Sequence, residues 1–384
     1  MMIMKKPKAT LLFSGLLGAA SVAIAILGAP ACGDDGSAAT SASANSGGAG
    51  GAGGSGGGGP NPIACEGAPA ELSVDGAWAA YGRLSIKLVG APGGAITICP
   101  TDQVSEGTLL LLVTFEQDPA DKTKITKATA TLCSLELPVV TALVGMCDPT
   151  SASLVSTQIE APDPFIKALP KLTAVPTAGS LGGLTGGSTV DLERFVVTAG
   201  SSKTGAELPG WNAADPACGA ADIGHTDCDP MCVADCAGLV DDDGDTYPGV
   251  TLHVCGKTAD DVKKGVECNA EQPNEPGATL QGKAFLDLEV DPMFTGQAAS
   301  SCEITGTIDT GVNYNIVGAD VYLTGGAISV TSAIKSLPMF EVDAAASKFR
   351  MVRIDGQFGA PDWQVSPADP AGACSILIQR ANEL

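Results

Sequence analysis

Apolar and polar residues alternate along much of this chain, in short runs separated by Gly, Pro, Asn and Asp. The clearest runs are residues 84–88 and 286–291, and in the second run each apolar residue is followed by an acid. A period of two places side chains alternately on two faces, so both runs predict half-buried β-strands. Further strands are predicted at 95–99, 108–115, 129–137, 191–198, 249–255, 301–309, 316–323, 327–331, 349–354 and 374–379.

Helical patterns are scarce by comparison. One short helix is predicted over residues 259–267, where Val262 and Val266 are four apart and Thr258 is a suitable N-cap. Many short strands with turn signals between them favour antiparallel sheets. The sequence therefore predicts a mostly β protein, built as an antiparallel sandwich or barrel-like sheets with a loop-rich, disulfide-bonded middle segment.

The N-terminus has the pattern of an export signal. Lysines at positions 5, 6 and 8 precede an apolar run over residues 11–27, and small residues follow at 29–31. Residues 1–31 thus predict a signal peptide. Because Cys32 follows directly, the segment resembles the signal of bacterial lipoproteins, which implies a lipid on Cys32 and a place on a membrane of the cell envelope. The alternatives are an uncleaved anchor and an ordinary cut after Ala31 that releases a soluble, secreted protein.

Composition divides the rest of the chain. Residues 32–62 hold Cys32 and a tract rich in Gly, Ser and Ala, which is typical of a disordered tether. The cysteines and strand patterns then suggest a β-rich portion at 63–204, a Cys/Asp-rich segment at 205–270 and a second β-rich portion at 271–384. The two β-rich portions are either separate lobes or halves of one sheet system.

The chain has 13 cysteines, an odd number. If Cys32 carries a lipid, an even set remains, which suits an oxidising compartment where thiols pair. The disulfide candidates are Cys65, Cys99, Cys133, Cys147, Cys218, Cys228, Cys232, Cys236, Cys255, Cys268, Cys302 and Cys374.

The chain is strongly acidic, with a formal net charge of −22. Such a surface repels nucleic acid and favours cations and basic partners, so no nucleic-acid partner is expected. The membrane is expected as a partner through the N-terminal lipid, whereas a protein or carbohydrate ligand stays unidentified.

An acidic loop is the best candidate metal site. Asp241, Asp243 and Asp245 stand at alternate positions, and the Tyr247 carbonyl is a possible fourth ligand for a hard cation. The loop resembles the calcium loops of EF-hands, dockerins and thrombospondin type 3 repeats, which implies calcium. It departs from the EF-hand pattern at Thr246 and Leu252, so a dissociation constant of about 10⁻⁴ to 10⁻³ M is expected.

Two other constellations have competing interpretations. His225, Cys228, Cys232 and Cys236 have a spacing that zinc accepts, although disulfides are the favoured interpretation in an exported chain. The three tryptophans are either sugar-stacking platforms or packing residues, with packing favoured; they are Trp78, Trp211 and Trp363.

Together these features predict a non-enzymatic, exported envelope lipoprotein with a binding or structural role, stabilised by disulfides and by calcium. No catalytic residue is predicted. The part from Asp241 to Arg353 resembles only unclassified bacterial surface lipoproteins, which implies no activity. The alternatives are a secreted hydrolase acting on polysaccharide or ester substrates and a calcium-dependent carbohydrate-binding or adhesion module.

Overall fold

Strands form most of the regular structure. The computed structural model describes Cys65 and residues 71–90, 97–98, 104–136, 140–143, 154–172, 174–212, 214–215, 218, 226–336 and 338–384. The predicted signal peptide and tether, with Cys32, lie outside the described residues, as do Cys99, Cys147 and His225.

The strands are numbered in chain order. They are β1 (Gly76–Gly90), β2 (Thr97–Ile98), β3 (Val104–Gln117), β4 (Lys124–Glu136), β5 (Val140–Leu143), β6 (Leu154–Glu160), β7 (Thr177–Leu181), β8 (Ser188–Leu192), β9 (Val197–Ala199), β10 (Val250–Thr258), β11 (Leu280–Val290), β12 (Met293–Ser300), β13 (Glu303–Asp309), β14 (Val312–Leu323), β15 (Gly326–Ala327), β16 (Pro338–Val342) and β17 (Lys348–Arg353).

The α-helices of the described part are short. They are α1 (Asp163–Ala168), α2 (Ala259–Lys264), α3 (Val330–Ser336) and α4 (Pro370–Gln379). Single turns of 3₁₀ helix occur at Leu169–Lys171, Gly205–Glu207, Cys236–Gly238, Gln357–Gly359 and Ala381–Glu383.

Eight strands close into an antiparallel barrel. Around the ring their order is β1-β17-β13-β12-β8-β7-β4-β3, and β3 pairs again with β1. The last part of β1 continues past the ring and pairs with β16, where Ile86 is opposite Val342. The mostly β, antiparallel fold predicted from the alternating pattern is confirmed, and it takes the barrel form.

A second antiparallel sheet adjoins the barrel. Its strand order is β15-β14-β11-β10-β6-β5-β2, with the short β9 pairing with the end of β11. The barrel and this sheet both take strands from before and after residues 205–270. Strands from before and after the middle segment are therefore interleaved in both sheets, within a compact unit that spans Gly58–Leu384.

The middle segment is loop-rich and disulfide-bonded, as predicted. Disulfides Cys218–Cys232 and Cys228–Cys236 cross-link it, and the buried Cys218, Cys232 and Trp211 pack in a cluster with residues of the second sheet. The indole of Trp211 donates to the Cys218 carbonyl at 3.1 Å. The described residues of 205–249 form no regular strand. This part of the segment is therefore held in place by its disulfides and by its packing against the second sheet.

Strand β3 is buried on both faces. Leu109, Leu111 and Val113 belong to the core inside the barrel, whereas Leu110 and Leu112 pack outward with residues of α4. The Cys133–Cys374 disulfide fastens α4 to the barrel. The uninterrupted apolar run of β3 is thus explained by cover on both sides.

The structure corrects several local predictions. Residues 374–379 belong to helix α4, and residues 327–331 are divided between β15 and α3. Short apolar runs fit either a strand or a buried helix, and Asp369, which accepts from the Gly372 N–H, starts α4. The predicted strand at 191–198 is broken between β8 and β9. The predicted helix after Thr258 is present with a capping box, but it ends at Lys264 because Gly265 adopts a left-handed conformation.

Candidate functional site

An apolar cavity lies between the barrel and the second sheet. Its volume is about 490 Å³, which falls within the usual range of small-molecule sites, about 300–1,000 Å³. The lining comes from seven strands and from α1 with the turn that follows it. It consists of Leu84, Ile86, Ser134, Leu135, Glu136, Gln158, Ile159, Glu160, Ala161, Phe165, Ile166, Leu169, Leu252, Val254, Ala284, Leu286, Leu288, Val290, Val312, Tyr314 and Phe340.

Strand β11 forms the inner wall of this cavity. Its even-numbered residues from Ala284 to Val290 line the space, so the odd-numbered residues, among them Asp287 and Glu289, point to the other face of the sheet. Every residue of β11 is buried. The strand predicted at 286–291 is confirmed as the end of β11, but it is buried on both faces and not on one, because residues of the middle segment cover the acidic face.

The exposed members of the lining mark where the cavity opens. Glu136 at the end of β4 and Glu160 at the end of β6 are both exposed, as is Gln158. Ile166 on α1 is 40% exposed, so it lies on the solvent side of the lining. The deep part of the cavity is thus aliphatic, and its solvent side is formed by the ends of β4 and β6 and by α1.

A smaller polar recess of about 210 Å³ shares Glu160 and Val254 with the cavity lining. His253 and Glu271 also line this recess, and the His253 Nε2 is 3.5 Å from the Glu271 Oε1. Burial lowers the pKa of His253, although the nearby Glu271 acts in the opposite direction. The lowered pKa favours the uncharged form of the imidazole.

Lys283 stands beside His253 in the β10–β11 pairing and is almost fully buried. Its Nζ donates to the Glu271 Oε2 at 2.6 Å and lies 5.0 Å from the centroid of the Tyr247 ring. Tyr247 in turn stacks on Phe285, with ring centroids 4.5 Å apart. The ammonium group of Lys283 thus pairs with the Glu271 carboxylate and packs against the face of the Tyr247 ring.

A buried carboxylate lies on the covered face of β11. Asp287 accepts from the Asn315 N–H at 3.1 Å through Oδ1, while Oδ2 has no hydrogen-bond partner in the described structure. Burial raises the pKa of Asp287 to about 7. The neighbouring Glu289 accepts from the Gly205 N–H at 2.7 Å, so this face holds the loop of the middle segment against the sheet.

The acidic loop brings its three predicted ligands together. One carboxylate oxygen each from Asp241, Asp243 and Asp245 lies within 4.8 Å of the others. Tyr247 donates its N–H to the Asp245 Oδ1 at 2.9 Å, and its side chain belongs to the stack on Phe285. The loop thus has a shape in which three carboxylates can share one cation.

Asp243 is the most perturbed member of the loop. Its Oδ2 accepts from the Thr251 N–H at 2.9 Å, whereas the buried Oδ1 has no hydrogen-bond partner among the described residues. Burial, with the charges of Asp245 and Asp241, raises the pKa of Asp243 to about 6. An oxygen-seeking cation satisfies such an orphaned oxygen and relieves the repulsion, so the residues fit calcium.

A glycine fixes the loop against the sheet. Gly249, with φ of 79°, returns the chain into β10, and a Cβ there would lie 2.3 Å from the Leu286 carbonyl oxygen. Asp242 accepts from the Gly200 N–H at 2.7 Å, which attaches the other side of the loop to the end of β9. Only glycine permits this close approach of the two backbones.

Cysteine pairing removes the zinc alternative. All ten described cysteines are in disulfides, so Cys228, Cys232 and Cys236 have no thiolate to offer a metal. The three tryptophans are buried: Trp78 lies in the core inside the barrel, Trp363 in the cluster between the barrel and α4, and Trp211 between the middle segment and the second sheet. None of them is an exposed sugar-stacking platform.

Sequence reasoning missed the cavity altogether. Its lining residues are ordinary strand residues whose convergence depends on how the barrel and the sheet pack. A partial signal was present in Ile166, an aliphatic residue on the polar side of a short helix. Among the described residues, no helix is long and apolar enough to cross a membrane. No protein family, no curated protein and no solved structure matches this chain.

Proposed function

We propose that this chain is an exported, non-enzymatic binding protein that holds a small apolar ligand between its barrel and its second sheet. The observation that carries this proposal is the cavity of about 490 Å³ with its aliphatic wall. Protein interiors are close-packed and leave few voids larger than a water molecule. An apolar cavity of this size, with an exposed side, suits a small apolar ligand.

The cellular location of the protein is part of the proposal. A lipid on Cys32 would attach the chain to a membrane of the cell envelope, and the Gly-rich tether would hold the folded part away from it, with a reach of roughly 30 Å. Five disulfides among the described residues support an oxidising compartment. The binding role and the cellular location are independent of each other, so each has its own test.

A structural calcium ion in the acidic loop completes the proposal. It is supported by the convergence of three carboxylates within 4.8 Å and by the orphaned Oδ1 of Asp243. Asp241, Asp243 and Asp245 would hold the ion, whose charge would offset their mutual repulsion. The loop precedes β10, a wall of the cavity, so the ion would stabilise the site from outside.

The binding role is tested with an uncharged fluorescent probe, N-phenyl-1-naphthylamine, and its displacement by 1-dodecanol. The protein is the full chain carrying Cys32→Ser, so that no attached lipid competes. We expect saturable fluorescence enhancement in this protein. Ala284→Phe, which fills the cavity from β11, and Ile166→Trp, which narrows its opening, should each reduce probe affinity by about tenfold or more.

Ala346→Phe on an exposed turn is the matched control for added aromatic surface and should bind like the parent. Melting curves establish that each variant is folded, and Ile166→Trp remains informative if Ala284→Phe is not. A probe that binds equally to all four proteins, or to none, contradicts the proposed binding function.

The membrane attachment is tested by fractionating cells that express the wild type and cells that express Cys32→Ser. We expect wild type in the membrane fraction with a lipid on Cys32 by mass spectrometry, and the variant in the soluble or culture fraction. A wild-type protein that is already soluble, with Cys32 unmodified, contradicts the lipid anchor.

A further inference from the structure

Two buried oxygen atoms without a hydrogen-bond partner in the described structure belong to the acidic loop and to the strand that follows it. One is the Oδ1 of Asp243, and the other is the Oγ1 of Thr251, the second residue of β10. Thr251 is only 1% exposed, so bulk water does not satisfy its hydroxyl group. Because a buried hydroxyl without a partner costs free energy, its presence here calls for an explanation.

The two residues are in direct contact. The Thr251 N–H donates to the second carboxylate oxygen of Asp243, Oδ2, at 2.9 Å. Covalent geometry places a threonine hydroxyl about 3 Å from the backbone nitrogen of the same residue, so Thr251 Oγ1 lies within about 6 Å of the Asp243 carboxylate. Oxygens that bind one calcium ion are up to about 5 Å apart, so these groups are close enough to share an ion.

Strand register places the Thr251 side chain on the same side of the sheet as the loop. Thr251 is opposite Phe285 in the β10–β11 pairing, and opposite residues of an antiparallel pair point to the same face. The Phe285 ring stacks on Tyr247 of the loop. Leu252, the next residue of β10, lines the cavity on the other face. The Thr251 hydroxyl is therefore directed to the side that the acidic loop covers.

The protein supplies no basic side chain to balance the three loop carboxylates. Residues 204–256 contain no Lys or Arg. Lys203 pairs with Asp235 at 4.0 Å, and Lys283, which packs against the loop at Tyr247, pairs with Glu271 at 2.6 Å. Among the described residues, none forms a salt bridge with the three aspartates of the loop, so a cation from solution is left to neutralise them.

We infer that Thr251 completes the calcium site from the sheet, as a neutral oxygen ligand beside the buried Oδ1 of Asp243. Calcium takes six to eight oxygen ligands, more than three carboxylates supply if each binds through one oxygen. The ion would bind between the loop and β10, with Asp241 and Asp245 on its outer side. The sequence pattern missed this ligand because Thr251 lies beyond the acidic run. The inference rests on the proposed calcium ion, since it adds a ligand to that site.

The experiment measures calcium binding by isothermal titration calorimetry with calcium chloride. The protein is the full chain carrying Cys32→Ser, freed of metal with a chelator. Thr251→Val keeps the side-chain shape and removes the hydroxyl, and it should weaken calcium binding by about tenfold or more. In chelator the same variant should melt at the temperature of the parent or a few degrees above it, because a methyl group replaces a buried hydroxyl without a partner.

Thr157→Val is the matched control. Thr157 on β6 is also buried, and its Oγ1 likewise has no partner in the described part of the chain. The control thus makes the same chemical change on a strand away from the acidic loop, and it should keep the calcium affinity of the parent. Thr251→Ser and Thr251→Ala form a second comparison, since both lose the methyl group and only Ser keeps the hydroxyl. Ser should bind calcium about tenfold more tightly than Ala, which decides the question if Thr251→Val does not fold.

The outcomes separate this inference from the proposed calcium ion. If the parent binds calcium and Thr251→Val binds it equally well, Thr251 is not a ligand and the ion in the loop stands. An equal loss of affinity in Thr157→Val, or equal affinities of Thr251→Ser and Thr251→Ala, also overturns the inference. If the parent binds no calcium, the proposed ion itself fails.

Discussion

Asp287 and Asp261 both accept hydrogen bonds from backbone N–H groups, yet their pKa values move in opposite directions. For Asp287 burial dominates and raises the pKa to about 7, since one carboxylate oxygen has no partner in the described structure. For Asp261 burial also acts upward, but hydrogen bonds from Thr279 and Thr258 outweigh it and lower the pKa to about 2. The direction of the shift is decided by the balance between the depth of burial, which is complete for Asp287 and partial for Asp261, and the hydrogen bonds to the carboxylate.

The Asp287 shift predicts how stability depends on pH. Because the folded-state pKa is raised, the folded protein binds more protons than the unfolded chain between about pH 4 and 7. The contribution of Asp287 to stability is fully present below about pH 4 and is lost as the pH rises through 7. Asp287→Asn should remove this loss, about 3–4 kcal/mol of unfolding free energy across that interval.

Urea unfolding of wild type and Asp287→Asn at intervals from pH 4 to 8 measures the difference between the two curves. Asp260→Asn, an exposed aspartate on α2, is the control and should follow the wild type. If wild type and Asp287→Asn run parallel over this range, the buried carboxylate does not titrate as described.

Sequence pattern alone placed this aspartate wrongly. Acids that alternate with Leu and Val indicate a solvent-facing side of a strand, and that rule holds wherever water covers the acidic face. Here Gly205 donates to Glu289 and the Leu208 carbonyl accepts from Asn315, so the middle segment replaces the water. The residues that bury this face are distant in sequence from β11, so the local alternation of apolar and polar residues does not reveal them.

At the scale of elements, period-two runs predicted most barrel strands in kind and position. The run 108–115 became β3 and the run 349–354 became β17, each within a few residues of the predicted ends. The prediction failed for α4, whose apolar run fits a helix and a strand equally well. Its helical form depends on the N-cap and on cover by the barrel, which an alternation count does not include.

The acidic loop was predictable in composition, and its shape now allows a sharper test of calcium. With a dissociation constant near 10⁻⁴ M, addition of about 10 mM calcium should stabilise the fold by roughly 2.7 kcal/mol. This corresponds to a rise of a few degrees in melting temperature. The triple variant Asp241→Asn/Asp243→Asn/Asp245→Asn should lose the response, since amides keep the size but not the charge.

Both proteins are melted with calcium and with a chelator, so that each is its own reference. A triple variant of exposed aspartates elsewhere, Asp163→Asn/Asp191→Asn/Asp260→Asn, controls for loss of total negative charge and should respond like the wild type. Equal responses in the wild type and the loop variant would mean that the carboxylates form a solvated turn.

At the scale of the whole molecule, the candidate site was out of reach of sequence reasoning. The fold class follows from local patterns, but the cavity exists only because Leu84 and Ile86 of the barrel lie opposite Leu286 and Leu288 of the second sheet. Aliphatic residues of this kind fill any core. These lining residues differ from other core residues only in the cavity between them, and a cavity depends on how the barrel and the sheet pack.

The disulfides predict different contributions to global stability. Cys133–Cys374 joins residues 241 apart in sequence, whereas Cys228–Cys236 joins residues only 8 apart. Closing the longer loop removes more entropy from the unfolded chain, by about 3 kcal/mol in the chain-entropy description. The Cys133→Ala/Cys374→Ala variant should therefore lose more unfolding free energy than Cys228→Ala/Cys236→Ala. Guanidinium unfolding under non-reducing conditions measures both, and the reverse order would contradict this account.

Closure of the barrel also determines when the protein can finish folding. β1 pairs with β3 on one side, but its other side pairs with β17, so that Trp78 meets Arg353. During synthesis from the N-terminus, one edge of β1 therefore stays open until β17 has been made. Contacts this distant in sequence make folding slow, and an open strand edge is a template for pairing with another chain. The newly made polypeptide thus depends on shielding of that edge, by a chaperone or by its own transient structure, until its last strand arrives.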